Sequence, residues 1–435
     1  MYATPTRFAQ FDTWAELEAP GIPDLPKVLK QRGYTTLSSG KIYHKRLDNE
    51  HSWDEICGFG ADIPNCDYSN GMCCRKVSSA GRRASEAAAP PCKTWCARAT
   101  KRWSEKCSWS GLCAGCGPCK TDLTARDESY LDEFDSEEAE AEFFNTSGYR
   151  NKKGYLKVVG SQLYNRGTAP ATEAAAGPND KWLYPDGRMT LKTIGDIRAA
   201  KLAGNPFFIA AGFNRPHLPF ACPKEYWDLY QRSEIVLPSN PWLPEGAPTR
   251  SVNYFELRTY DNIPDYDAGQ GGPNGGQVNL PEDLAKELQH GYLACVSYVD
   301  DMVGHLFDEL KAQAMYDNTI ITFASDHGYK LGNKGSWCKH SMYETDLHVP
   351  MIIKAPGFAP SRISAMVENV DLYPTILDLV GIPAPPHVQG RSLVPLLVDP
   401  NAPSRKAIFA RYRRCHAGQS RWHSSGASRG LETPP

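Results

Sequence analysis

The sequence has no long apolar run, no leader-like start and almost no net charge. No apolar stretch approaches the roughly 18 residues that a membrane-spanning helix needs. The first residues, Met1 to Pro5, do not combine a basic region with an apolar one, as a secretory signal does. The 48 Lys and Arg nearly balance the 50 Asp and Glu, for a formal net charge of -2, so composition gives no reason to expect binding to nucleic acid.

Cysteines are scarce outside one segment: ten of the 14 lie between Cys57 and Cys119. A segment with so few apolar residues needs cross-links to hold a shape, and residues 92–119 resemble cysteine modules of the sea-anemone-toxin type. The run Cys113-x2-Cys116-x2-Cys119 leaves zinc as an alternative, but structural zinc sites usually pair two separated knuckles, so disulfides are favoured. With the glycosylation triplet at Asn145, this cysteine usage predicts the secretory pathway, lysosomal or extracellular.

Polar residues follow an apolar run near the middle of the second half of the chain. Residues 319–324 are β-branched and apolar on both faces, the pattern of a buried parallel strand. Asp326 and His327 come directly after it, at the carboxyl end where open α/β sheets bind ligands. An acid beside an imidazole can hold a divalent cation, and Lys339, a few residues on, can contact an anion bound to it.

Two further predicted strands also end in polar loops. Residues 34–39 are predicted to form a strand, followed by Lys41 and His44, and residues 207–212 form another, followed by Arg215 and His217. A long helix is predicted from Leu280 to about Ala312 because its first turn is acidic and its apolar residues recur at helical spacing. The polar groups at the strand ends are therefore expected to converge on one pocket.

Six ordered motifs resemble the sulfatases of the alkaline-phosphatase superfamily, most closely the iduronate 2-sulfatase-like branch. The resemblance implies an α/β fold with a mixed, largely parallel central sheet and helices on both faces, interrupted by a cysteine-rich insert. The motifs are Gly40-Lys41-Ile42-Tyr43-His44, Pro206-Phe207-Phe208-Ile209-Ala210, Arg215-Pro216-His217-Leu218-Pro219-Phe220, Ser325-Asp326-His327-Gly328, His348-Val349-Pro350 and Asp371-Leu372-Tyr373-Pro374-Thr375.

The same resemblance implies a role for each candidate site residue. Asp326 and His327 would be metal ligands, with calcium as the cation. Lys41 and Lys339 would bind the oxygens of the sulfate. His44 and His217 would be the catalytic histidines, which orient the nucleophile or protonate the leaving oxygen.

One part of the family pattern is absent from the sequence. Sulfatases attack sulfur with a formylglycine made from the cysteine of Cys-x-Pro-Ser-Arg, and an early pair of Asp residues completes the calcium site. The sequence contains neither motif, and the spacing from Lys41 places both before Met1. The similar stretch from Asn401 to Arg405 has Asn in place of the nucleophile and is predicted to be a surface turn. The chain as written is therefore expected to be an inactive fragment.

These patterns predict four segments: 1–56 as the first part of a sulfatase-like domain that lacks its amino-terminal segment, 57–144 as a cysteine-rich and acidic insert, 145–409 as the second part of the domain, and 410–435 as a disordered tail. The expected reaction is hydrolysis of a sulfate ester on a carbohydrate. Two alternatives remain at this point. One is a phosphodiesterase or phosphonate hydrolase of the same superfamily. The other is a non-catalytic binding protein that uses its cysteine-rich module.

Overall fold

The computed structural model describes residues 23–43, 50–58, 73–76, 176–177, 179–182, 184–242, 245–246, 257, 260, 263, 280–339 and 341–410. His44, Cys92 to Cys119, the Asn145 triplet and the predicted tail from residue 411 onward lie outside these ranges. The described residues fall into two compact units, a larger one of residues 26–42 and 50–357 and a smaller one of residues 23–25, 43 and 358–410. None of the described helices is long and apolar enough to cross a membrane.

A four-stranded mixed sheet in the larger unit carries the first polar loops. Its strands are β1 (Thr35–Gly40), β2 (Glu55–Gly58), β3 (Cys73–Lys76) and β5 (Phe207–Gly212), in the order β3-β2-β1-β5. Strand β1 runs parallel to both β2 and β5, whereas β3 is antiparallel to β2. Because β1 and β5 are parallel and in register, Gly40 pairs with Gly212 and both strands end at the same edge.

Shorter strand pairs complete the larger unit. Strand β4 (Ala176–Gly177) runs parallel to β6 (Cys222–Pro223), and β8 (Lys330–Leu331) is antiparallel to β9 (Trp337–Cys338). Within the described part of the predicted insert, a disulfide joins Cys57 of β2 to Cys74 of β3.

The strand before Asp326 differs from its prediction. It forms as β7 (Ile321–Ala324), but it pairs antiparallel with β10 (Met351–Lys354), and its Thr322 is exposed. The prediction of a buried parallel strand was therefore wrong in direction and in degree of burial. A run of apolar residues reports which residue types a strand contains, but it carries no information about the direction of the neighbouring strand.

Two helices form the main framework of the larger unit. Helix α2 (Pro185–Ala203) packs on β1 and β5, and the long helix α4 (Glu282–Ala312) packs on α2. The predicted long helix is thus confirmed. Its buried face contains Leu288 and Cys295 as predicted, but then continues through Tyr298 and Met302 instead of Val299 and Val303, because 3.6 residues per turn carry the buried stripe around the helix. The shorter helices of this unit are α1 (Leu25–Gln31, which begins in the smaller unit), α3 (Lys224–Trp227) and α5 (Glu344–Leu347).

An aromatic core fills the space between these elements. Phe220, Trp227, Tyr298 and Trp337 are all buried in one cluster. The ring of Phe220 meets Tyr292 edge to face with centroids 5.6 Å apart, a favourable geometry for aromatic pairs. The loop that begins at Arg215 therefore returns into the core at Phe220, which fixes its position.

The smaller unit is organised around a buried carboxylate. Helices α6 (Leu372–Leu379) and α7 (Val394–Val398) belong to it. Asp371 is fully buried, accepts a hydrogen bond from the Arg391 amide (2.7 Å) and forms an ion pair with Arg405. The predicted surface turn from Asn401 to Arg405 is confirmed, with Asn401, Pro403 and Ser404 exposed. Within it, the Arg405 side chain is only 14% exposed, because the buried acid needs a cation to offset its desolvation.

Candidate functional site

The site begins where β1 and β5 end. Gly40 has a positive φ of 79°, and the Lys41 amide donates a hydrogen bond to the Gly212 carbonyl (2.8 Å). A Cβ atom on Gly212 would lie 2.1 Å from the Lys41 carbonyl oxygen, so only glycine permits this approach. The two glycines thereby place Lys41 beside the loop that follows β5.

Asp186 holds that loop in place. It lies in the first turn of α2, is buried, and accepts hydrogen bonds from the backbone amides of Asn214 (2.8 Å) and Arg215 (3.1 Å). Burial raises the pKa of Asp186, while Arg215, the two amides and Lys41 oppose this rise. The Arg215 guanidinium donates in turn to the Ala221 carbonyl (2.9 Å). The loop is thus held at its start by Asp186 and at its end by the Ala221 carbonyl.

His217 is presented by this loop in a defined tautomer. Its Nδ1 donates to the Leu218 carbonyl (2.9 Å), since a carbonyl oxygen can only accept. Its Nε2 is therefore an acceptor, and the Lys339 Nζ donates to it at 2.8 Å. This contact joins residues 122 positions apart in the sequence.

Lys339 is positioned by a buried ion pair. Lys330 of β8 is completely buried and donates to both carboxylate oxygens of Asp346 (2.7 and 2.8 Å) and to the Ser341 hydroxyl (3.1 Å). Asp346 also accepts from the Ser341 amide (2.6 Å). These contacts tie the segment before Lys339 to the segment after it, and so hold the end of β9 in one place.

Asp326 and His327 lie at the end of β7. The Asp326 Oδ2 is 3.4 Å from the Lys41 Nζ, and its Oδ1 is 3.7 Å from the His327 Nε2. The His327 Nδ1 donates to the Gly328 carbonyl (2.8 Å), so its Nε2 carries the lone pair. A Cβ on Gly328 would lie 2.0 Å from the Thr345 carbonyl oxygen, which shows how tightly this turn packs.

The charges around Asp326 favour its ionised form. Its side chain is 65% exposed, so desolvation opposes ionisation only in part, and Lys41, His327 and Lys339 together lower its pKa below the ordinary value. Burial lowers the pKa of His327, and Lys339 and Lys41 lower it further, whereas Asp326 and the Gly328 carbonyl oppose the change. At neutral pH the pair is therefore a carboxylate and a neutral imidazole, which are the forms that bind metal ions.

The donor set fits part of a cation site. Calcium takes six to eight ligands, mainly oxygen, and Asp326 and His327 supply one carboxylate and one imidazole nitrogen. Across the described ranges, the only cluster of three His, Cys, Asp or Glu donors is Glu55 with the disulfide-bonded Cys57 and Cys74. Asp326 and His327 therefore offer two donor groups, fewer than a calcium site needs.

Five of the six candidate residues meet in the structure: Lys41, His217, Asp326, His327 and Lys339. His44 lies outside the described residues. The sequence reading missed Asp186, although an acid after Pro185 at a helix start was visible. Such acids are common because they complement the helix dipole, so the residue alone gave no functional signal.

The family model described as Sulfatase matches residues 1–382. This chain belongs to the Sulfatase family. Mouse iduronate 2-sulfatase is 32% identical over 230 residues, which cover 47% of this chain and 41% of the mouse protein. A sulfatase of Formosa agariphila is 33% identical over 227 residues, which cover 52% of this chain and 42% of that protein. The match thus spans less than half the length of either relative.

Solved structures agree with this fold. BT4656, in complex with its substrate D-glucosamine-2-N,6-O-disulfate, aligns with a TM-score of 0.52 at 18% identity and covers 91% of this sulfatase-family chain and 68% of that one. At this identity the likeness shows the fold alone. The mixed α/β fold predicted from the motifs is thereby confirmed.

Proposed function

We propose that this chain takes part in the hydrolysis of sulfate esters on carbohydrates, as in the iduronate 2-sulfatase-like branch. The observation that carries the proposal is the meeting of Lys41 with Asp326 (3.4 Å) and of Lys339 with His217 (2.8 Å). Polar and charged side chains from four separate segments converge where nothing in packing requires them. An anion or a cation bound between them would offset their desolvation.

The proposed roles follow from the chemistry of each side chain. Lys41 and Lys339 bind the oxygens of the sulfate group and stabilise the charge that builds up on them. His217, with its Nε2 directed at Lys339, orients the attacking group or passes a proton to the leaving oxygen. His44 is proposed for the same work by its place in the motif alone.

Asp326 and His327 are proposed to supply two ligands to a divalent cation, calcium by family resemblance. When bound, the cation would polarise the sulfate and attract its oxygens. No sequence match to Cys-x-Pro-Ser-Arg occurs in the 435 residues, so the test of this site is ligand binding and not turnover. A secretory compartment is proposed from cysteine usage, and one relative in Drosophila melanogaster is named an extracellular sulfatase.

The experiment is a calorimetric titration of the folded chain with inorganic sulfate, with phosphate as the paired ligand. Lys41→Ala and Lys339→Ala should each weaken sulfate binding about tenfold or more, because a hydrogen bond to a charged group contributes roughly 1.5–3 kcal/mol. Lys201→Ala is the matched control, since Lys201 is exposed at the end of α2. Equal affinities of all three variants would overturn the proposal, and tighter binding of phosphate than of sulfate would favour the phosphodiesterase or phosphonate hydrolase alternative.

A further inference from the structure

Two buried cysteines outside the candidate site come from separate elements of the larger unit. Cys222 lies in β6 and Cys295 lies in the middle of α4. Both are completely buried in the same aromatic core, and both are free thiols in this structure. Neither residue belongs to the Cys57–Cys74 disulfide or to the candidate site.

The packing places the two thiols together. Strand β6 packs against α4, and the Tyr184 hydroxyl donates to the Cys222 carbonyl (3.0 Å). The ring of Tyr184 lies 5.8 Å from that of Tyr298, which is three residues after Cys295 and so lies on the same face of the helix. Tyr184 therefore holds the backbone of Cys222 next to the helix face that bears Cys295.

The thiols also interact directly. The contact with the Cys295 thiol, and after it burial, raise the pKa of the Cys222 thiol well above its ordinary value, while the nearby Arg215 opposes the change. Arg215 belongs to the loop that carries His217, and this loop runs without interruption into β6. The cysteine pair thus lies at the point where the site loop returns to the core.

We propose that Cys222 and Cys295 are a redox pair that closes to a disulfide and ties β6, with the loop before it, to helix α4. Disulfides form where the backbone holds two Cys residues at short range, and here β6 packs directly on α4 with both thiols in one core cluster. Because such a bond would join two residues 73 positions apart, it would close a long loop of the unfolded chain.

The chemistry requires a disulfide oxidant, for which oxidised glutathione is the test reagent. The thiolate of one cysteine attacks a sulfur of the oxidant, breaks its S–S bond and releases one glutathione thiolate. The second cysteine then attacks the protein sulfur of the mixed disulfide and releases the second glutathione. The two cysteine protons pass to the two glutathione thiolates, so one oxidant is reduced to two thiols while two cysteines are oxidised. Burial and a raised pKa slow the attack in the folded protein, so the bond forms as the chain folds or opens.

Cys338 provides an internal comparison. It is as buried as the pair, and its sulfur contacts the Tyr329 hydroxyl (3.3 Å). The full 435-residue chain is equilibrated in graded mixtures of reduced and oxidised glutathione, once as folded protein and once during refolding from denaturant. Thiols are then alkylated in denaturant, and the chain is digested without reductant for mass spectrometry.

The expected result is a linked peptide that joins Cys222 to Cys295 and has lost two hydrogen atoms, while Cys338 stays alkylated. Oxidation should also raise the Tm of the wild type more than it raises the Tm of Cys295→Ser. The Cys57–Cys74 bond is present in both proteins and contributes equally to the two gains, so the difference reports on the Cys222–Cys295 bond. Alkylation of Cys222 and Cys295 to the extent of Cys338 in both series would overturn the proposal. A bond from either residue to a different cysteine would do the same.

Discussion

At the scale of single residues, the site combines two lysines with one carboxylate and two histidines, and each side chain has a polar contact within the site or with the backbone. His217 and His327 both donate from Nδ1 to a backbone carbonyl, which leaves Nε2 as the nitrogen that faces the site. Lys41 lies against Asp326 at 3.4 Å, where a bound cation would compete with it for the carboxylate.

The proposed cation ligands can be tested singly. Asp326→Asn removes the charge of the carboxylate, and His327→Gln removes the imidazole nitrogen. Each is expected to weaken calcium binding by at least about tenfold, since even groups that only support metal ligands cost 10–100-fold when removed. Binding is measured by titration with calcium. Asp308→Asn is the control, because Asp308 is an exposed acid on α4 with a side chain that is 74% exposed.

A calcium affinity that is the same in Asp326→Asn and in Asp308→Asn would contradict the assignment of the metal ligands. Sulfate binding by the lysines could persist in that case, so the two parts of the proposed function are separable. The Asp326→Asn substitution also removes the ion pair between Lys41 and Asp326.

A histidine away from the site makes the stability of the fold depend on pH. The His305 ring of α4 lies tilted against that of Trp182, with centroids 4.7 Å apart, and its Nε2 is 3.5 Å from the Asp301 carboxylate. Burial lowers its pKa, and Lys181 lowers it further, while Asp301 and Asp308 oppose the change. The unfolded chain therefore binds a proton at higher pH than the folded one. The stability that His305 contributes is fully present above its ordinary pKa of about 6.5 and is lost as pH falls through the lowered value.

The expected outcome is that the urea midpoint of the wild type falls more steeply than that of His305→Gln between about pH 7.5 and pH 5. Glutamine keeps a polar side chain but cannot take up a proton in this range. Parallel pH profiles of the two proteins would show that His305 does not contribute to the pH dependence.

At the scale of elements, the site depends on strand ends that approach closely. Gly212→Ala would place a methyl group 2.1 Å from the Lys41 carbonyl oxygen and 2.7 Å from the Lys41 nitrogen, so the ends of β1 and β5 must separate. We expect a loss of about 1–3 kcal/mol in the free energy of unfolding, together with weaker sulfate binding because Lys41 is displaced. Denaturant unfolding and sulfate titration of the same preparation measure the two effects.

Gly304→Ala is the matched control. Gly304 lies inside α4, where a Cβ would meet nothing within 4 Å, so alanine should stabilise the helix by roughly 0.5–1 kcal/mol. Should both substitutions stabilise the chain, the close approach of Gly212 to Lys41 is not a constraint on the fold. Complete unfolding of Gly212→Ala, with Gly304→Ala folded, would be the extreme form of the expected loss.

Elements differ in how well the sequence predicts them. The long helix α4 was predicted because an amphipathic repeat over 31 residues is a strong local signal. Strand β7 was predicted in position but not in pairing. Its partner β10 begins at Met351, 27 positions after Ala324, the last residue of β7, and the direction of a neighbouring strand is decided by tertiary packing. Asp186 was missed for the same reason. Its partners, Asn214 and Arg215, arrive from another part of the fold.

At the scale of the whole molecule, family membership follows from the ordered motifs together, and no single motif would have sufficed. Lys41 and Asp326 are 285 positions apart in sequence, so no periodicity relates them, yet their side chains meet. The family resemblance related these two residues because it implies the fold that brings them together. Composition and periodicity alone predicted strands that are followed by polar loops. The convergence of the polar side chains on one pocket was only an expectation.

The last prediction concerns turnover by a polypeptide of these 435 residues. Its described site contains groups proposed to bind sulfate and a cation, but the sequence has no Cys-x-Pro-Ser-Arg motif from which a formylglycine could form. A water molecule held by Lys and His is a poor substitute for an activated covalent nucleophile. The purified chain should therefore bind sulfate without hydrolysing an aryl sulfate above the background rate, as measured by release of the phenol. Steady turnover that disappears in Asp326→Ala would contradict this prediction and would mean that another residue of the chain supplies the nucleophile. Turnover that persists in Asp326→Ala would come from a contaminant, since Asp326 lies in contact with Lys41 at the centre of the site.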